Sequence, residues 1–101
     1  CTPASVDSID SSNGQEDHVS MGANSATKCF QIMNNLEDIL GTELMAGFQA
    51  LEFRKPLKSS SKIEALRDSF RKEIPFIEDD VLMYVEMQKS KSFLLQHSPL
   101  I

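Results

Sequence analysis

Cysteine is scarce in this sequence: only Cys1 and Cys29 occur among 101 residues. Two cysteines do not make a disulfide framework. Cys29 sits in an apolar-periodic stretch and reads as a small buried hydrophobe, so a reducing, cytoplasmic setting is the default. No apolar run approaches the roughly 20 residues that a membrane span needs. No basic segment precedes an apolar one in the manner of a signal peptide, so no membrane partner is expected. Lys and Arg are missing from residues 1–20, and the net charge is −5, which argues against nucleic acid as a partner. An initiating Met is also missing, so the chain reads as a processed product or a fragment.

Several chemistries are excluded in the same way. Zinc needs about four Cys, His or carboxylate ligands at suitable spacing. His18 and Cys29 stand apart, and no H-E-x-x-H occurs. Setting Asn13-Gly14 at the fifth and sixth places of an EF-hand loop puts Ile9 first and Ser20 twelfth, which rejects calcium by that motif. A nucleophile elbow G-x-S-x-G is absent, and the second histidine, His97, lies in the tail. There is no Gly-rich phosphate loop. No metal site is expected.

Helical periodicity is what the sequence does have. From about Val19 to Phe53, Cys29, Ile32, Met33, Leu36, Ile39, Leu40, Leu44, Phe48 and Leu51 recur at spacings of three and four. At 100° per residue they cover about half the cylinder, which calls for several neighbouring helices. Gly41, Ala46, Gly47 and Ala50 offer small surfaces for close approach of another helix. A helix over residues 28–53 would run about 39 Å, whereas a compact domain of this size has a radius of gyration of about 13 Å. The helix therefore belongs to a larger helical assembly. Glu43 falls within the apolar stripe. Either it has a partner or a raised pKa, or it lies at the stripe's edge and reaches water.

Two shorter helices follow. Ser61-Lys62-Ile63-Glu64 reads as a capping box. The helix it opens carries Ile63, Leu66, Phe70 and Ile74 on one face, an Asp68–Lys72 pair, and a stop at Pro75. Asp79 or Asp80 can cap a last helix bearing Val81, Leu82, Tyr84, Val85 and Met87. Residues 92–101 form an apolar tail that should dock on something. The fold class is thus all-α: one long central-bundle helix followed by two shorter ones, part of a larger helical fold. The basic stretch at 54–72 (Arg54, Lys55, Lys58, Lys62, Arg67, Arg71 and Lys72 against Glu64 and Asp68) reads as a solvated face rather than an anion site.

Residues 1–18 form a polar loop, and residues 19–101 the helical portion. In "NGQEDHVSMG" (Asn13 to Gly22), Gln15, Glu16, Asp17, His18 and Ser20 gather before the long helix. One reading is a helix start, with Glu16 and Asp17 at the positive end of the dipole and Ser20 or Asp17 capping free N–H groups. The other is a ligand site in which Gln15 and Glu16 protrude while Asp17, His18 and Ser20 hold the shape. Chemistry alone leaves both open.

"PASVDSI" (Pro3 to Ile9), "QEDHVSMG" (Gln15 to Gly22), "ELMAGFQALEFRKPL" (Glu43 to Leu57) and "IPFIEDD" (Ile74 to Asp80) together resemble the C-terminal part of histidine ammonia-lyases. Related phenylalanine and tyrosine lyases and aminomutases usually carry Asn-Gln-Asp in place of Gln15-Glu16-Asp17. The resemblance implies a large helical homotetramer that removes ammonia from L-histidine to give trans-urocanate. It also implies an electrophile, 4-methylidene-imidazol-5-one, formed from an Ala-Ser-Gly tripeptide. Glu16 would then bind substrate with Gln15 beside it, while Asp17, His18 and Ser20 support the turn. The chain has no Ala-Ser-Gly, no catalytic residue is assigned within it, and alone it should be inactive. The alternatives are another aromatic amino acid lyase or aminomutase, and a non-catalytic helical interaction module.

Overall fold

The computed structural model describes residues 11–15 and 19–97. Its elements are a single turn at Ser12–Gly14 and three helices, α1 (Gly22–Glu52), α2 (Ser61–Glu73) and α3 (Met83–Gln96), with no strand among the described residues. The architecture is all-α, as the periodicity predicts. Two compact units are distinguished, dividing inside α1 at Asn34 and Asn35.

In the first unit, the described part of α1 is exposed almost throughout. Its start is near the expected position, and Thr27 folds its hydroxyl back onto the Ala23 carbonyl at 3.0 Å. Cys29 is exposed rather than buried, so the expectation of a buried thiol is corrected: the described residues around it on that turn of the helix are exposed as well. Phe30, Ile32 and Met33 are exposed as well.

The second unit holds the core. Met45 and Phe48 of α1, Phe70 of α2, Phe93 of α3 and Ile74 just after α2 are buried, with Leu44, Leu51, Leu66 and Ile77 packed around them. Phe70 stands between Phe48 and Phe93, with ring centroids 4.9 and 5.2 Å away. The stripe on α1 is covered where the two short helices reach it; Leu36, Ile39 and Leu40 stay largely open. Glu43 is exposed, which selects the stripe-edge reading.

Close approach occurs at one of the two internal glycines. A Cβ built on Gly41 would lie 2.9 Å from both the Cα and the backbone nitrogen of Lys91 on α3. Beside it, the fully buried Ser90 donates its hydroxyl to the Gly41 carbonyl at 2.6 Å. At Gly47 nothing lies within 4 Å. Gly41→Ala should therefore destabilise by about 1–2 kcal/mol, because backbone overpacking outweighs a propensity gain of about 1 kcal/mol. Gly47→Ala should stabilise by up to about 1 kcal/mol. Chemical denaturation of the two variants checks the contrast.

Helix ends differ from expectation in instructive ways. The N-cap of α2 is Ser60, whose hydroxyl accepts from Ile63 N–H at 3.4 Å, while Glu64 reaches past it to the Ser59 N–H at 2.8 Å. The box expected at Ser61 is displaced by one residue, since three successive serines offer equivalent capping chemistry. Asp68 pairs with Arg67 at 3.0 Å instead of with Lys72. α2 ends before Pro75, as expected.

The N-cap of α3 is Leu82, with no side-chain cap, so neither Asp79 nor Asp80 performs that role. Val81 and Leu82 precede the helix and are exposed, as is Tyr84. The helix continues to Gln96 and buries Phe93. The apolar tail thus docks as part of α3 as far as residue 97; residues 98–101 lie outside the described set.

Candidate functional site

The loop singled out by sequence divides between described and undescribed residues. Glu16, Asp17 and His18 lie outside the described residues, and the loop–helix boundary expected at 18/19 adjoins them. Gln15 and Ser20 are described, and both are exposed. Upstream, Ser12, Asn13 and Gly14 have φ of 53°, 55° and 79°. Gly14 N–H donates to Ser11 O at 3.1 Å, and Gln15 N–H to Ser12 O at 3.2 Å. The result is a left-handed turn, readily adopted by Gly and tolerated by Asn but disfavoured for Ser. Gln15 then returns to right-handed geometry at φ −83°, ψ −21°. Downstream, Ser20 makes no capping hydrogen bond among the described residues. α1 opens instead with Ser25 N–H donating to Met21 O at 3.2 Å.

The densest polar constellation among the described residues lies elsewhere, where α1 ends beside α2. Glu52 takes an ion pair from Lys55 and, at 3.2 Å, the Nε of Arg71. Arg71 also donates through Nη1 to the Ile74 and Pro75 carbonyls, each at 3.2 Å, and lies over the Phe70 and Phe76 rings. The hydrogen bond from Lys55, opposed by partial burial and aided by Arg71, holds the Glu52 carboxyl below its ordinary range. One turn earlier, the Gln49 amide donates to Ile77 O at 2.6 Å and accepts from Ile77 N–H at 3.3 Å. These groups fasten the segment after α2 to α1. Apart from the buried Arg71 Nη2, which has no hydrogen-bond partner among the described residues, their charges and donors are committed to the fold, which leaves no free acid–base pair there.

Other charges are similarly engaged. Arg67 meets Glu64 at 2.9 Å, and Lys91 meets Asp38 at 2.9 Å and Glu37 at 3.5 Å. The hydrogen bond to Asp38 leads the causes that raise the Lys91 pKa. The basic stretch is therefore partly neutralised by nearby carboxylates. An apolar groove of about 630 Å³ runs past Leu40, Leu44, Leu51, Ile63 and Leu66. A smaller one of about 430 Å³ is edged by Arg54, Lys58 and Glu64. Among the described residues no group of three His, Cys, Asp or Glu is arranged to hold a metal, and no helix is long and apolar enough to cross a membrane.

Sequence reasoning did not anticipate Gln49, Glu52, Arg71 or Ser90. The pairing of Gln49 with the Ile77 backbone and of Arg71 with Glu52, 28 and 19 positions apart, leaves no trace in local spacing.

Against known proteins, residues 1–72 match the family model described as aromatic amino acid lyase. A histidine ammonia-lyase of Alkaliphilus metalliredigens is 42% identical over 95 residues, covering 94% of this chain and 19% of that protein. One from Anaeromyxobacter dehalogenans is 40% identical over 88 residues, covering 87% of this chain and 17% of the relative. One from Vibrio cholerae is 41% identical over 92 residues, covering 91% and 18%. The chain thus spans less than a fifth of the length of these curated relatives.

Proposed function

We propose, because the chain belongs to the aromatic amino acid lyase family, that it is the C-terminal portion of a histidine ammonia-lyase, an enzyme that eliminates ammonia from L-histidine to give trans-urocanate. The observation that carries this reading is the 42% identity with a protein of that name over 94% of the chain.

The family's electrophile, 4-methylidene-imidazol-5-one, would activate the substrate in the whole enzyme. It is built from Ala-Ser-Gly, and that tripeptide does not occur among these residues; Ala4-Ser5 is followed by Val6. These 101 residues do not supply the group, and binding and orientation are the part left to them. Glu16 accepts from the imidazole N–H or the ammonium of the substrate through a charge-assisted hydrogen bond. Gln15 lines the same pocket with a neutral amide that can donate and accept. Asp17, His18 and Ser20 hold the turn. The whole protein works as a homotetramer in the cytoplasm, its exposed α1 face covered by neighbouring helices.

Glu16→Gln in the full-length protein tests the reading. Loss of a charge-assisted hydrogen bond worth about 1.5–3 kcal/mol should lower L-histidine turnover by roughly 10- to 100-fold, with thermal stability nearly unchanged. Steady-state assays with L-histidine, L-phenylalanine and L-tyrosine provide the measurement. Equal losses of activity and folding would reduce Glu16 to a helix cap. Preferred turnover of L-phenylalanine or L-tyrosine would place the protein in another branch of the family.

A further inference from the structure

We infer that residues 78–84 of one copy of the protein dock in the cleft between the end of α1 and the start of α2 of a second copy, acids against bases and apolar side chains against an apolar floor. The segment follows α2 and runs into α3. Glu78, Asp79 and Asp80 are exposed, and after them Val81, Leu82, Met83 and Tyr84 leave 45%, 66%, 45% and 66% of their surface open. Four large apolar side chains in succession at the surface mark a contact face.

That face stands on a fixed base. Gln49 holds both backbone groups of Ile77, at 2.6 and 3.3 Å, and Arg71 holds the Ile74 and Pro75 carbonyls. A segment anchored at its root loses less conformational freedom on docking than a free loop does.

The cleft has the complementary character. Within its volume of about 430 Å³, Ala50, Leu51 and Leu57 supply apolar surface, while the exposed Arg54 and Lys58 edge it. Glu64, on the same edge, is neutralised by Arg67 at 2.9 Å. Among the described residues no ion pair engages Arg54, Lys58, Glu78, Asp79 or Asp80. An apolar centre rimmed by opposite charges is the make-up of a protein–protein contact, and the charges set its register. No residue of 78–84 lines the cleft of its own chain. Every copy carries both halves, and a two-fold axis lets each give its segment and receive one in return. Association of copies is part of the proposed function, and this contact rests on it.

The full-length protein carrying Leu82→benzoylphenylalanine is irradiated, and the products are separated by mass on a denaturing gel and mapped by peptide mass spectrometry. A product of twice the chain mass, joined to residues 50–58, is expected. Asp79→Lys with Asp80→Lys should lower its yield about tenfold, and adding Arg54→Glu with Lys58→Glu should restore it to within about threefold, because like charges across a contact repel. A product confined to one chain, a doubled product mapped elsewhere, or no product would overturn the inference. So would indifference to charge reversal, or no recovery. The mapping in otherwise parental protein decides even where a charge variant fails to fold. Sedimentation of the parent as a monomer removes the oligomer and this contact together; an oligomer cross-linked elsewhere removes this contact alone.

Discussion

Phe70→Ala is expected to remove about 3–5 kcal/mol of stability, a large share of the 5–15 kcal/mol typical of a domain. Phe70 is 0% exposed and is the ring through which α2 meets both other helices, with Phe48 on one side and Phe93 on the other. Truncation loses the transfer free energy of the ring, both aromatic contacts at about 0.5–1.5 kcal/mol each, and the packing around the resulting cavity. Phe70→Leu keeps most of the volume and should cost less than half as much. Urea unfolding followed by far-UV circular dichroism measures both. A Phe70→Ala loss below that of Phe70→Leu would show that the three-ring stack is not the centre of the core.

Arg71→Ala should cost about 2–4 kcal/mol. The Arg71 and Glu52 side chains are 15% and 10% exposed, so screening by water is limited. Removing the guanidinium leaves the Ile74 and Pro75 carbonyls without their donor and Glu52 with Lys55 alone. Arg71→Lys keeps the charge but not the planar fork, and should recover less than half of the loss. The pH dependence has a definite sign. The Glu52 carboxyl is held below its ordinary value of 4.5, first by Lys55 and also by Arg71. A group lowered on folding stabilises the fold above its unfolded pKa, and that contribution fades as pH falls through the folded value. The gap between parent and Arg71→Ala should therefore be constant near neutral pH and shrink below about pH 4.5. A gap that widened in acid would refute the assignment.

Much of the helical framework was legible because local spacing encodes it. α1 from its apolar period, α2 from its serine cap and Pro75, and close approach at Gly41 all rest on rules that span a turn or two. What a residue faces depends on distant chain. Cys29 and Met33 carry the same periodic signal as Phe48, yet Phe48 is buried and they are exposed. Met45, buried on the same helix, adjoins the expected stripe and was missed because stripe edges are soft. Phe93 reads as tail because the apolar pattern of the last helix stops at Met87 and the polar residues 88–92 do not carry it on, although α3 runs through them to Gln96. At the candidate site, Asn13-Gly14 announced a loop, but positive φ at Ser12 is invisible to residue preference, which argues against it.

The contact between Gly41 and α3 also bears on the order of events as the chain is made. Ser90 and Gly41 are separated by 49 positions, and their hydrogen bond belongs to the same layer as Phe93. Contacts this far apart form only after the intervening chain exists and its loop-closure entropy has been met. α1 therefore spends the synthesis of the next 40 or so residues with its apolar side uncovered, at about 5–20 residues per second. That interval of seconds is when the part of α1 that forms the core is open to chaperones and to wrong partners, and the arrival of Phe93 closes that part alone.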